Sequence, residues 1–273
     1  MIHPEHTTRF SAAEAAQILL DVRKSRSRLA GLPEHLAPRS VEQAYAIQDV
    51  VVRRLGGIGG WKIVHPAAGA SPRCSPIPAS EIMESGASIA WDTLLWPEVE
   101  VELAVVLAHD LPPRSSPYEP IDLQRAIAYV TGAFELLGSR FADRTTVSRT
   151  ESLADLLSSA GVVKGDGAAC FDTVEFADVA MSLMFDGKVV GAATGGPSTA
   201  DVLSTLTWLA NHACGRIGGL RAGEVVITGA RIHPLRLPSS GTRLTAHLAG
   251  LGKVEAGIRG SAGQLLPTVS ALV

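Results

Sequence analysis

The chain has 273 residues, enough for one large domain or two small ones, and its 46% apolar, 5% aromatic composition predicts a sizeable core of Val, Leu, Ala and Ile. A formal net charge of -3 gives no electrostatic case for a nucleic-acid partner, and no apolar run approaches membrane-spanning length. Neither end carries a basic-then-apolar signal, and the three cysteines, Cys74, Cys170 and Cys214, lack metal-type spacing, so a cytoplasmic globular protein with free thiols is expected.

Ser11 with Glu14 has the spacing of a capping box, and Ala15, Ile18, Leu19 and Val22 form the apolar stripe of a helix running to about Leu29. Ser40 with Gln43 opens a second helix through Ala44, Ile47, Val50, Val51 and Leu55, which the glycines at 56, 57, 59 and 60 end. Trp61 to Val64 reads as a short strand, and His65 to Ile82 as an ordered loop rich in Pro, Ser, Ala and Gly. After an acidic strand, a loop runs from Pro112 to Pro120 and a helix from Ile121 to about Val130; Gly132 to Leu137 fits a strand or a helix. A loop with a short helix is expected from Thr145 to Leu157, and a hairpin around Asp186-Gly187 from Val179 to Ala193. Ser198 or Thr199 caps a helix that Gly218-Gly219 ends, and short strands follow at Val225–Thr228, Arg243–His247 and Val254–Ile258. Helices before a β-rich remainder indicate an α+β fold.

The chemistry concentrates in the acidic strand, Trp96 to Leu107. Its first half alternates acid and apolar residues, which in extended chain puts Glu98, Glu100 and Glu102 on one face and Val99, Val101 and Leu103 on the other. Same-face neighbours lie about 6.5–7 Å apart, close enough to repel unless a positive charge sits among them. A hard divalent cation answers that need, since Mg²⁺ or Mn²⁺ prefers carboxylate oxygens. The alternative is a solvated edge strand whose charges discourage aggregation.

Glu135 is the best-placed third carboxylate, because a lone charge in the apolar stretch 132–137 needs a partner; pairing with neighbouring Arg140 is the competing reading. Lys62, between Trp61 and Ile63, is placed either for acid/base work and carboxylate clamping or simply to reach solvent. Asp155 with Ser158 and Ser159 forms a polar cluster or an ordinary helix cap. His65, His109, His212 and His233 lack zinc-site spacing, and neither a nucleophile elbow nor a phosphate-binding loop is present.

Several stretches taken together resemble one family. They are Ala44-Tyr45-Ala46-Ile47-Gln48, Gly60-Trp61-Lys62-Ile63, Pro97 to Ala104, Phe134-Glu135-Leu136 with Ser139-Arg140, Asp155 and Ser158, Trp208 to Asn211, Leu220 to Ala230, and Gly250 to Val254. In this order they resemble the 2-oxopent-4-enoate hydratase and 4-oxalocrotonate decarboxylase group of the fumarylacetoacetate hydrolase superfamily.

The resemblance implies a mixed β-roll or distorted barrel with helices packed around it. A mainly helical N-terminal region (1–80) and a β-roll catalytic region (81–273) would act as one functional unit. It also implies that Glu100, Glu102 and Glu135 hold Mg²⁺ or Mn²⁺ as a Lewis acid for a 2-oxo acid or 2-hydroxydienoate, with Glu98 left out. Lys62, Asp155 and Ser158 align with active-site residues, and Lys62, Leu156 and Arg140 are expected at the substrate. Glu at the third ligand position argues for the lyase branch over the carbon–carbon hydrolases. A homo-oligomer is implied, with a paralogous hydratase or decarboxylase as a further partner.

The chain also departs from the family pattern. Leu156 stands where Asn is usual, Val64-His65-Pro66-Ala67 replaces Gly-Leu-Thr-Ser, and Ile77 stands near an expected Asp. These changes suggest an altered substrate. A carbon–carbon hydrolase or tautomerase, and a non-catalytic paralogue stabilising a partner subunit, are the competing functions.

Overall fold

Ser11 and Ser40 open the first two helices as their spacing predicts. In the computed structural model, which describes residues 9–67 and 69–261, Ser11 caps α1 (Ala12–Ser25) by accepting the Glu14 N–H, and Ser40 caps α2 (Val41–Arg54) by accepting the Gln43 N–H. α1 ends at Ser25 rather than near Leu29, where Arg26 turns left-handed at φ 55°. The remaining helices are α3 (Pro120–Ala126), α4 (Arg149–Ala154) and α5 (Thr199–Ile217). No described helix is long and apolar enough to cross a membrane.

The strands in chain order are β1 (Ile58–Val64), β2 (Arg73–Pro78), β3 (Ile82–Glu84), β4 (Ala87–Ala90), β5 (Glu98–Leu107) and β6 (Ile127–Leu137). They continue with β7 (Ser159–Lys164), β8 (Met181–Phe185), β9 (Lys188–Ala193), β10 (Val225–Arg236), β11 (Gly241–Leu248) and β12 (Gly252–Arg259). Two further expectations are corrected. The stretch from His65 to Ile82 is not all loop, since β2 lies within it; its prolines are tolerated because β2 is the edge of its sheet, where a missing N–H costs no ladder bond. The helix expected to reach Val130 ends at Ala126, because the β-branched and aromatic run Ile127 to Thr131 goes into β6. The Asp186-Gly187 hairpin forms as expected, with φ 49° and 80° at its two turn residues.

Both sheets are mixed. One has the order β2-β1-β10-β5-β6-β7-β3, the other β4-β12-β11-β8-β9. In the first, β1–β10 and β7–β3 pair in parallel and the rest antiparallel. Its edge strands β2 and β3 are separated only by a single 3-10 turn, Ala79–Glu81, so the sheet curls until its edges approach each other. Ile77 from β2 and Val162 from β7 thus share a small core with Ala104, Val106, Ala133, Val225 and Ile227. That core fills the inside of the roll. The outer face carries the larger core: Trp61 and Ile63 of β1 pack among residues of α2, α4 and α5.

This inside–outside alternation places the acidic face. Glu100 and Glu102 share the parity of Ala104 and Val106, and Glu135 shares that of Ala133, so all three carboxylates enter the roll where its apolar filling ends. Lys62 joins them from β1, whose register pairs it with Ile227 and with Ser75.

Gly60 sets how closely β1 approaches β10, since a Cβ there would lie 2.3 Å from the Val225 carbonyl oxygen. Gly60→Ala is expected to force the strands apart and cost about 1–3 kcal/mol in urea unfolding. Unchanged stability would show that the approach is not needed.

Candidate metal centre

Glu100 and Glu135 sit directly opposite each other on the antiparallel pair β5–β6, and Glu102 is the next same-face residue along β5. One oxygen from each of the three lies within 4.8 Å of the others. Glu102 and Glu135 are fully buried and Glu100 is 8% exposed. Lys62 Nζ donates to Glu135 Oε2 at 2.6 Å and lies 3.7 Å from Glu100 Oε2. The backbone N–H of Gly229 donates to Glu102 Oε2 at 2.6 Å.

Ionised carboxylates this close repel by about 3 kcal/mol per pair at an effective dielectric near 20. Burial and mutual repulsion therefore favour protons on Glu102 and Glu135. Burial, opposed by Lys62 and reinforced by Glu100, pushes Glu102 up to about 7. Burial also drives Glu135 well above the usual carboxylate range against the pull of Lys62, with Glu102 and Glu100 adding to the rise. Burial works to lower Lys62, but Glu135, Glu100 and Glu102 outweigh it and hold the ammonium above its ordinary value.

The donor set fits a hard divalent cation. Glu102 Oε1 and Glu135 Oε1 are buried without a hydrogen-bond partner among the described residues, and both belong to the cluster. Three ionised carboxylates and one ammonium leave two negative charges, which a divalent ion neutralises. Glu98 stays outside the cluster and pairs with Arg144 at 3.1 Å.

The other expected residues are placed differently. Asp155 is buried, and it accepts from Ser139 Oγ at 3.1 Å, from the Arg140 N–H at 3.0 Å and from Arg140 Nε. Arg140 further donates to the Asp155 carbonyl at 2.6 Å and the Ser159 carbonyl at 3.1 Å. Its guanidinium is thereby occupied inside the protein and binds Asp155 rather than Glu135. This lock holds an unusual turn: Leu156, Leu157 and Ser158 are all left-handed, at φ 53°, 51° and 62°. Such residues cost roughly 1–3 kcal/mol each and collect at functional sites. Leu156 is 1% exposed and belongs to the large core, whereas Leu157 reaches a cavity of about 580 Å³ lined also by Val64, His65, Arg73 and Arg144.

Two groups at the site escaped the sequence reading. β10 carries an extra residue between Ile227 and Ala230 and another between Ala230 and Ile232, opposite Ala104, Glu102 and Val101. The first bulge, with Gly229 at φ 98°, turns its N–H onto Glu102. The second makes Arg231 the extra residue. An isolated glycine inside the strand-like run Val225 to Ile232 was the available signal.

Residues 65–259 match the family model described as fumarylacetoacetate (FAA) hydrolase C-terminal. The chain belongs to the fumarylacetoacetate hydrolase family. Over 250 residues it is 30% identical to a 2-keto-4-pentenoate hydratase of Paraburkholderia phymatum, covering 87% of this chain and 94% of that protein. To 2-keto-4-pentenoate hydratase 2 of Dechloromonas aromatica it is 29% identical over 264 residues, 92% and 98% of the two chains. In fold it is similar to the 4-oxalocrotonate decarboxylase from Pseudomonas putida G7 complexed with magnesium and adipate. That likeness has a TM-score of 0.77 at 21% identity, over 92% of this chain and 97% of the other.

Two outcomes follow from the buried charges of this family member. In chelator-treated protein the raised pKa of Glu102, about 7, means the folded state binds its proton more tightly than the unfolded state. The Glu102 contribution to stability is then fully present below the ordinary carboxylate range and is lost as pH rises toward 7, by up to about 3 kcal/mol. Lys62, held above its ordinary value, contributes nothing to that window. Thermal melts from pH 5 to 8 should show the fall, and saturating Mg²⁺ should reduce it; a flat profile without metal would contradict the account. Separately, Asp155→Ala strands a buried arginine and should cost about 3–5 kcal/mol in denaturant unfolding. A loss under 1 kcal/mol would show that the lock is dispensable.

Proposed function

We propose that this chain is a divalent-cation-dependent lyase, of hydratase or decarboxylase type, acting on an enolisable 2-oxo acid or 2-hydroxydienoate. The observation that carries the reading is the convergence of Glu100, Glu102 and Glu135, with unpaired buried oxygens, beside Lys62. The identity to 2-keto-4-pentenoate hydratases over most of both chains supports the hydratase assignment. Glu at the third position favours the lyase branch over the hydrolases.

Glu100, Glu102 and Glu135 would hold Mg²⁺ or Mn²⁺, which when bound supplies Lewis-acid polarisation of the substrate's oxygens. Gly229 fixes one oxygen of Glu102 and leaves the other for the ion. Lys62 serves as carboxylate clamp and proton carrier at Nζ, since its ammonium already shares a short hydrogen bond with Glu135. Ile77, Val162 and Ile227 close the inner side of the roll to water. Ser158 sits in the strained turn, its carbonyl accepting the Gly138 N–H just past the end of β6, and Asp155 acts through that turn by holding its shape.

The substrate's tail enters the cavity that begins with Val64 and His65, two residues beyond Lys62, and includes Leu157. This lining and the burial of Ile77 support a tail that differs from that of the family's simplest dienoates. The free thiols support a cytoplasmic setting, and the family resemblance supports a homo-oligomer with a paralogous lyase as a further partner.

Glu100→Ala and Glu135→Ala should abolish Mn²⁺ binding by calorimetry and all turnover; retained metal and activity would remove the proposed site. With Mg²⁺ the purified protein should process 2-oxo acids, and the products assign the chemistry. Hydration gives one heavier product, decarboxylation releases carbon dioxide, and hydrolysis yields two fragments. Efficient turnover of unsubstituted 2-hydroxypenta-2,4-dienoate would contradict the altered tail.

A further inference from the structure

Arg231 is the residue the second β10 bulge inserts opposite the Glu102–Val101 step, and it is 7% exposed. Its Nη1 donates to the carbonyls of Gly229 at 2.7 Å and Thr228 at 3.4 Å, which fixes the plane of the guanidinium. Nε and Nη2 have no partner among the described residues, although both are buried. Those two nitrogens are the pair whose N–H bonds run parallel along one edge of the group, the edge that binds a carboxylate with two hydrogen bonds. A buried cation with that edge vacant is costly unless an anion meets it.

The neighbourhood is shaped for this side chain. A Cβ on Gly196 would lie 2.4 Å from Arg231 Nε, so only glycine allows the β9–α5 turn to lie against the guanidinium. Gly229, whose N–H fixes Glu102, is also the residue whose carbonyl anchors Arg231, so the carboxylate cluster and the fork share one support. If a divalent ion is held there, it and Lys62 already neutralise the three glutamates. Arg231, whose guanidinium feels the charge of Glu102, is then a surplus positive charge beside the cluster.

We propose that Arg231 is a substrate-binding fork, gripping a carboxylate of the 2-oxo acid through its Nε and Nη2 edge. The proposal rests on the metal-centre reading for the position of the substrate, while the fork's own chemistry is independent of it. The carboxylate is either the one next to the oxo group or a second one at the far end of the chain.

The test compares wild type, Arg231→Gln and Arg231→Lys in calorimetric titrations with Mn²⁺ and then, on Mn²⁺-loaded protein, with 2-oxohexanoate and 2-oxoadipate. Both variants should retain Mn²⁺ affinity within about threefold, and Arg231→Gln should weaken at least one acid tenfold or more. A loss shared by both acids places the head carboxylate on the fork, and a loss confined to 2-oxoadipate places the far one there. Arg231→Lys keeps the charge without the paired edge and should recover only part of the affinity. Unchanged affinity for both acids in Arg231→Gln would overturn the proposal. Should Arg231→Gln fail to fold, Arg231→Lys with wild-type affinity for both acids would overturn it equally. Wild type that binds no Mn²⁺ would refute the metal reading instead, and 2-oxoadipate titrated without metal would then still report on the fork.

Discussion

Three carboxylates and one ammonium buried together at the end of a β-roll are the constraint around which this fold is arranged. Glu102 and Glu135 are fully out of water, and Lys62 offsets only one of the three negative charges. A chain does not keep such a cluster for stability, because apolar residues of similar size would pack there at lower cost. The roll supports the arrangement in layers. A small inner core of aliphatic residues fills the roll, and Trp61 and Ile63 hold β1 from outside so that Lys62 faces in. The β10 bulges bring a backbone N–H to Glu102 and the Arg231 side chain beside it.

A second buried ion pair, Arg140 with Asp155, does a different job. It joins Asp155, which aligns with an active-site loop, to Arg140, which was expected at the substrate, as a brace for three successive left-handed residues. Asparagine, usual for the family at position 156, visits that conformation readily, and leucine does not. Leu156 instead gains burial in the main core, so packing replaces local preference there. The cavity face of the turn passes to Leu157, which is where an altered substrate would register the change.

Much of this site was legible in the sequence because alternation is a local property. Period-two spacing placed Glu100 and Glu102 on one face, and a single charge inside an apolar run marked Glu135. The capping residues located α1, α2 and α5 for the same reason. What sequence could not supply was cross-strand register: nothing local says that Glu135 stands opposite Glu100, or that Arg140 turns to Asp155 instead. β2 was hidden because its prolines read as loop until an edge position excuses them. Arg231 was hidden because its significance lies in a one-residue bulge, a misfit between two strands that neither strand shows alone.

The most direct measurement is anomalous diffraction from crystals grown with Mn²⁺. The account predicts one strong peak with an oxygen from each of Glu100, Glu102 and Glu135 at about 2 Å, and Lys62 shifted off the ion. No peak there, with Lys62 still bonded to Glu135 and the two buried oxygens still unpaired, would contradict it.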